Sequence, residues 1–124
     1  MNSAIHKIAV VTDDIEKAVA FYTSVLGMQV SERFPNDDDE DFVFLKSGDM
    51  ILELMPQKTM GADVGFHHIS FNVDNVDSAA REVQDGGHAL TMEPTDAGVG
   101  GIRLAFFNGP NDVQLQLFHR DSNT

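Results

Sequence analysis

Residues 66–87 read FHHISFNVDNVDSAAREVQDGG, and they decide the fold because residues 5–27, IHKIAVVTDDIEKAVAFYTSVLG, say nearly the same thing. FHHISFNV (66–73) reads as a strand. Val76, Ala79, Ala80 and Val83 then recur at helical spacing, and Gly86-Gly87 stops the helix. In the earlier copy IHKIAVV (5–11) is the strand, and Ile15, Ala18, Val19, Tyr22, Val25 and Leu26 mark the helix. Gly27 ends that helix. Asp13 with Glu16 three residues on fits a capping box.

Each helix is followed by three strand-like runs. In the first half they are 28–34, 42–46 and 50–55, the last two joined by Ser47-Gly48-Asp49. In the second they are 88–93, 101–107 and 113–118, with Asn108–Asp112 as the last turn. Polar residues 56–65, PQKTMGADVG, read as the linker. The order βαβββ therefore occurs twice: module 1 over about 1–55, module 2 over about 66–119. One module is too small to bury a full core. The expectation is an α+β single domain in which two βαβββ modules enclose a cleft or half-barrel.

Alternation along each strand sorts the faces. Val113, Leu115 and Leu117 should pack under a helix, which turns Gln114, Gln116 and Phe118 to the cleft. Met50, Leu52 and Leu54 leave Ile51, Glu53 and Met55 facing inward. Ile69, Phe71 and Val73 leave His68, Ser70 and Asn72. Ile8 and Val10, with His6 by parity, leave Lys7, Ala9 and Val11. Four polar side chains, Lys7, Glu53, His68 and Gln116, thus point inward from four central strands. Glu, neutral His and the Gln carbonyl are ligand types for divalent metals. A protonated Lys is not. Glu53, in an otherwise apolar strand, needs a cation when it is desolvated. That cation is either a metal held with His68 and Gln116 or the ammonium of Lys7.

Composition bounds the function. In 124 residues there are 42% hydrophobic and 23% charged side chains, as in ordinary globular proteins. The net charge of -12 repels nucleic-acid phosphates and anionic lipid. No apolar run approaches the roughly 20 residues that span a bilayer. There is no Cys, hence no disulfide and no thiolate chemistry. MNSAIHKIAVVTDD lacks the basic n-region of a secretory signal, so the cytoplasm is the expected location. The run Asp37–Asp41 reads as a solvated loop, without the central Gly or alternating ligands of an EF-hand. GVGGIRLAFFNGP lacks a P-loop Lys.

The layout resembles the vicinal oxygen chelate superfamily, which includes glyoxalase I, methylmalonyl-CoA epimerase, extradiol dioxygenases and bleomycin- and fosfomycin-resistance proteins. The residues that carry the likeness are His6–Val10, Asp14–Ala18, Phe21-Tyr22, Leu26–Met28, His67–Phe71 and Gly109–Asn111 before Gln116-Leu117. The resemblance implies metal ligands on the first and last strands of each half, which fall on Glu53, Gln116 and His68. The first-half ligand is where the chain departs from the pattern: seven residues before Asp14 stands Lys7, not His6. The same count from Asn75 reaches His68. His6 could serve only if a bulge turned it inward.

The resemblance implies a glyoxalase I- or epimerase-like lyase or isomerase acting on a small carbonyl or thioester substrate. Its divalent metal (Ni, Zn, Mn, Co or Fe) would stabilise an enediolate while Glu53 moves the proton. Lys7, Arg103 and Gln114 are then candidates for substrate binding. A dioxygenase-like activity stays open. The alternative is a metal-free small-molecule-binding or drug-resistance protein of the same fold, with Lys7–Glu53 as an ion pair. A homodimer is expected by resemblance. His67 reads as an outer-face residue, and His88 and His119 as surface or edge residues.

Overall fold

The computed structural model describes residues 1–36 and 40–121. Asp37, Asp38 and Asp39 of the acidic run lie outside the described residues. Among the described residues eight strands occur: β1 (Ser3–Thr12), β2 (Gln29–Phe34), β3 (Phe42–Ser47), β4 (Met50–Pro56), β5 (Gly65–Val73), β6 (Leu90–Asp96), β7 (Ile102–Asn108) and β8 (Gln114–Arg120). The helices are α1 (Ile15–Leu26), the one-turn α2 (Gln57–Met60) and α3 (Val76–Asp85), with a 3-10 turn at Pro110–Asp112. The chain forms two compact units, Lys7–His67 and the combination of Met1–His6 with His68 onward.

In the first unit the strand order is β2-β3-β4-β1, in the second β5-β8-β7-β6. In each, the strand before the helix pairs in parallel with the last strand: β1 with β4, β5 with β8. The other pairings are antiparallel. The doubled α+β reading therefore holds within each half. Strand boundaries move by at most three residues, and the largest change is in β6, which runs from Leu90 to Asp96 rather than over 88–93.

Side-chain oxygens that accept from backbone N–H groups start both long helices. The Asp14 carboxylate accepts from Lys17 N at 3.0 Å, and Asn75 Oδ1 from Ser78 N at 2.9 Å. The cap is thus Asp14, one residue past the Asp13 that the capping-box spacing points to. Thr12 Oγ1 accepts from Asp14 N, which turns the chain so that Asp14 and not Asp13 faces the first helical turn. Gly27 closes α1 at φ 70°, a left-handed conformation that costs Gly no Cβ clash.

α3 buries Val76, Ala79, Ala80 and Val83 against Val73, Ala105 and Leu117. α1 buries Ile15 and Val19 against Val43, Leu45 and Leu54. Val25 and Leu26, counted with the apolar stripe of α1, are exposed. The opposite face of the first unit is also closed: Ala9, Val11 and Met55 pack with Phe42, Met60 and Ala62. That second apolar layer makes a buried charge on this face expensive. Among the described residues no helix is long and apolar enough to cross a membrane.

Candidate functional site

On that closed face of the first unit stand Lys7 and Glu53. The parallel register sets Ala9 opposite Glu53, so Lys7 lies one pleat upstream on the same side. Lys7 Nζ donates to Glu53 Oε1 at 2.9 Å. Phe44 is paired with Glu53 across β3–β4, and its ring centroid is 5.5 Å from the ammonium. Lys7 is 1% exposed and Glu53 9%. An ammonium thus stands beside a carboxylate, with one aromatic ring close to the ammonium.

His67, at the end of this unit, is half-buried. Burial holds its imidazole below the ordinary 6.5, and the negative charge of Glu53 partly offsets that. A side chain that senses Glu53 is not turned to bulk solvent. Parity along β5 could not reveal this, because the charge it senses lies on another strand.

The second unit carries a buried polar face. His68, Ser70 and Gln116 are 1%, 0% and 3% exposed. Ser70 is opposite Gln116 in the β5–β8 register. His68 meets the edge of Phe106 with ring centroids 5.0 Å apart. His6 joins this face: its Nε2 is 3.1 Å from Ser70 Oγ, and its ring lies 4.7 Å from Phe118. Alternation had placed His6 with Ile8 and Val10. Ile69 and Phe71, assigned to the core, are half-buried; of the polar set on the same strand His68 and Ser70 are buried and Asn72 is exposed.

Arg103 is committed to carboxylates. Its Nε and Nη2 donate to Asp77 at 2.7 and 2.9 Å, and Nη1 donates to Asp96 at 3.0 Å. The two carboxylates hold its pKa above the ordinary Arg value. Gln114 is half-buried at the start of β8, opposite Asn108. The structure thus brings Lys7 and Glu53 together in one unit, and His68 and Gln116 onto one face of the other.

The donor set of the first unit does not fit a divalent metal. Among the described residues no three His, Asp or Glu side chains are arranged to hold one. At Glu53 the neighbouring group is a cation with no lone pair to offer, and it would repel a second cation.

The profile of the Glyoxalase/Bleomycin resistance protein/Dioxygenase superfamily matches residues 4–117. Human mitochondrial methylmalonyl-CoA epimerase is 29% identical over 119 residues, covering 87% of this chain and 67% of its own. The lactoylglutathione lyase of Salmonella typhimurium (strain LT2) is 27% identical over 112 residues, covering 84% of this chain and 83% of its own. A Streptomyces coelicolor methylmalonyl-CoA epimerase variant, solved with 2-nitronate-propionyl-CoA, superposes with a TM-score of 0.79 at 23% identity, covering 96% of this chain and 95% of that one. With a doubled βαβββ chain and a match over nearly its whole length, the protein belongs to the glyoxalase/bleomycin-resistance/dioxygenase superfamily.

Proposed function

We propose that this chain is a metal-independent member of its superfamily that binds a small molecule, as drug-resistance proteins of this fold do. The carrying observation is the buried Lys7–Glu53 pair at 2.9 Å. Glu53 has its counter-charge built into the chain, so its burial does not call for an ion from solution. The buried His68, Ser70 and Gln116 supply hydrogen-bonding groups of the kind that orient a ligand in a largely apolar site. The reading includes a homodimer, which light scattering on the purified chain tests.

The relatives favour a second reading, because methylmalonyl-CoA epimerase and lactoylglutathione lyase are both enzymes. In it the chain is a lyase or isomerase with a divalent ion (Ni, Zn, Mn, Co or Fe), Glu53, His68 and Gln116 are the ligands, and Glu53 is the base. Lys7 would then have to leave Glu53.

Elemental analysis of protein purified without chelators or a metal-binding tag separates the two. We expect the metal content of wild type to be unchanged in Glu53→Gln and His68→Ala. Near-stoichiometric metal, lost in both variants, would overturn the metal-free reading. Such a result would justify assays with carbonyl and thioester substrates.

A further inference from the structure

In a chain of net charge -12, residues 18–31, AVAFYTSVLGMQVS, form the longest run without a formal charge. They make up most of α1 and the start of β2. Within the run Phe21, Val25 and Leu26 are 52%, 63% and 58% exposed, and Val30 is 39% exposed. Phe21 and Val25 are four residues apart, so they stand one above the other on the helix. Val30 pairs with Leu45, which is buried in the same cluster as Ile15 and Val19 of α1. Val30 therefore lies on the helix side of its sheet, on the edge strand of the first unit. The Phe21 ring stands edge-on to Tyr22 with centroids 5.3 Å apart, and Tyr22 packs on the core of the unit. The exposed ring is thus held in place, and little rotamer freedom remains to be lost on contact. None of the functional readings above uses this face.

We propose that this face docks a second copy of the chain, α1 against its mate about a two-fold axis. The inference rests on the homodimer of the reading above and names its interface. Charge selects the occupant. Two copies at -12 each repel one another, and carboxylates brought face to face across a contact weaken it. Copies can approach closely only where neither brings an acid, and 18–31 is the longest stretch that meets this condition. A basic partner gains nothing from a surface with no acid to pair, and an anionic membrane is repelled by the rest of the chain. A two-fold contact sets the same patch on both sides, so the Phe21–Val25 stripe of one copy meets that of the other. Ala20 and Ser24, exposed beside the stripe, are small enough to let two helices pack at about 8–10 Å. Charge on α1 is confined to Glu16 and Lys17 of its first turn, and Glu16 is clasped by Arg33. The layout is therefore an aromatic and aliphatic centre with a polar rim at one end, as in protein interfaces.

The test is sedimentation velocity of the full chain over a concentration series, alongside Phe21→Glu, Val25→Glu and, as control, the exposed Val64→Glu. Wild type is expected at twice the 13.6 kDa chain mass. The dimer dissociation constant should rise by about thirtyfold or more in each of the first two variants. In the third it should stay close to wild type. For wild type it should fall by about threefold or more between about 0.05 and about 0.5 M NaCl, because salt screens the repulsion between copies. A dimer that salt weakens is held by charge pairs, which would overturn the proposal. Equal weakening by Val64→Glu would overturn it too, since added charge anywhere would then separate the copies. A dimer untouched by Phe21→Glu and Val25→Glu overturns the interface and leaves the homodimer standing. A monomeric wild type overturns both and leaves the face to a different partner. Circular dichroism shows whether each variant is folded, and Phe21→Ser takes the place of a charged variant that is not.

Discussion

Lys7 Nζ and Glu53 Oε1 are 2.9 Å apart on neighbouring parallel strands, with side chains only 2% and 12% exposed. Breaking such a pair from one side leaves the other charge buried, which costs about 3–5 kcal/mol, whereas apolar replacement of both is often neutral. Lys7→Met should therefore lose stability of that order in urea denaturation. Lys7→Met combined with Glu53→Leu should recover most of it. An equal loss in the single and double variants would mean that packing of the Lys7 stem, not charge pairing, holds the strand.

Replacing the ammonium by a metal-binding ring should change the ion chemistry of the same face. Lys7→His puts an imidazole beside Glu53, the two ligand types found together in zinc sites. Lys7→His should bind Zn²⁺ or Ni²⁺ at least tenfold more tightly than wild type. Equal affinity, read by calorimetry, would show that the charge of Lys7 is not what keeps metals from Glu53.

The helix starts make a sharper, local prediction. Asp14→Ala removes the acceptor for Lys17 N and should cost about 1 kcal/mol. Asn75→Ala, which strips the acceptor for Ser78 N, should cost the same order. Asp13→Ala should stay within about 0.5 kcal/mol, as for an ordinary surface change. Urea midpoints of the three variants decide between Asp13 and Asp14 as the cap.

Acid should weaken the fold through its arginine clasps. Hydrogen bonds from Arg33 hold the Glu16 carboxyl below its ordinary 4.5, and those from Arg103 hold Asp77 below 3.8. A carboxylate with a depressed folded pKa adds stability that is complete above its unfolded value. That stability is lost as pH falls through the folded value. The melting temperature should thus drop on acidification below those values, and less so in Arg33→Gln. Both clasps are exposed, so the effect is small and shrinks at high salt. His67 adds a separate window. Burial lowers its folded pKa, so the unfolded chain takes up a proton first, and stability declines as pH falls below 6.5. His67→Gln should flatten that part of the profile.

Much of this was legible in the residues. α3 could be read down to each buried position, because Val76, Ala79, Ala80 and Val83 repeat at the period of the helix itself. The two-fold βαβββ order was legible for the same reason: strand and helix periods are local. The inward set Lys7, Glu53, His68 and Gln116 followed from alternation, and all four are buried. Alternation grouped His6 with Ile8 and Val10 and gave no hint of its contacts with Ser70 and Phe118. It also gave no hint that His67 senses Glu53 or that His119 is oriented by the carbonyl of Val73.

What the sequence determined alone is whatever a short window controls: helix period, strand alternation, caps, turns and the family signature. The tertiary structure decided which charge meets which. Lys7 and Glu53 are 46 positions apart, as are Val73 and His119. A strand pattern says which side a residue takes, but the identity of its neighbour depends on strand order and register. The sequence left two cations open for Glu53, and strand pairing put the Lys7 ammonium against it.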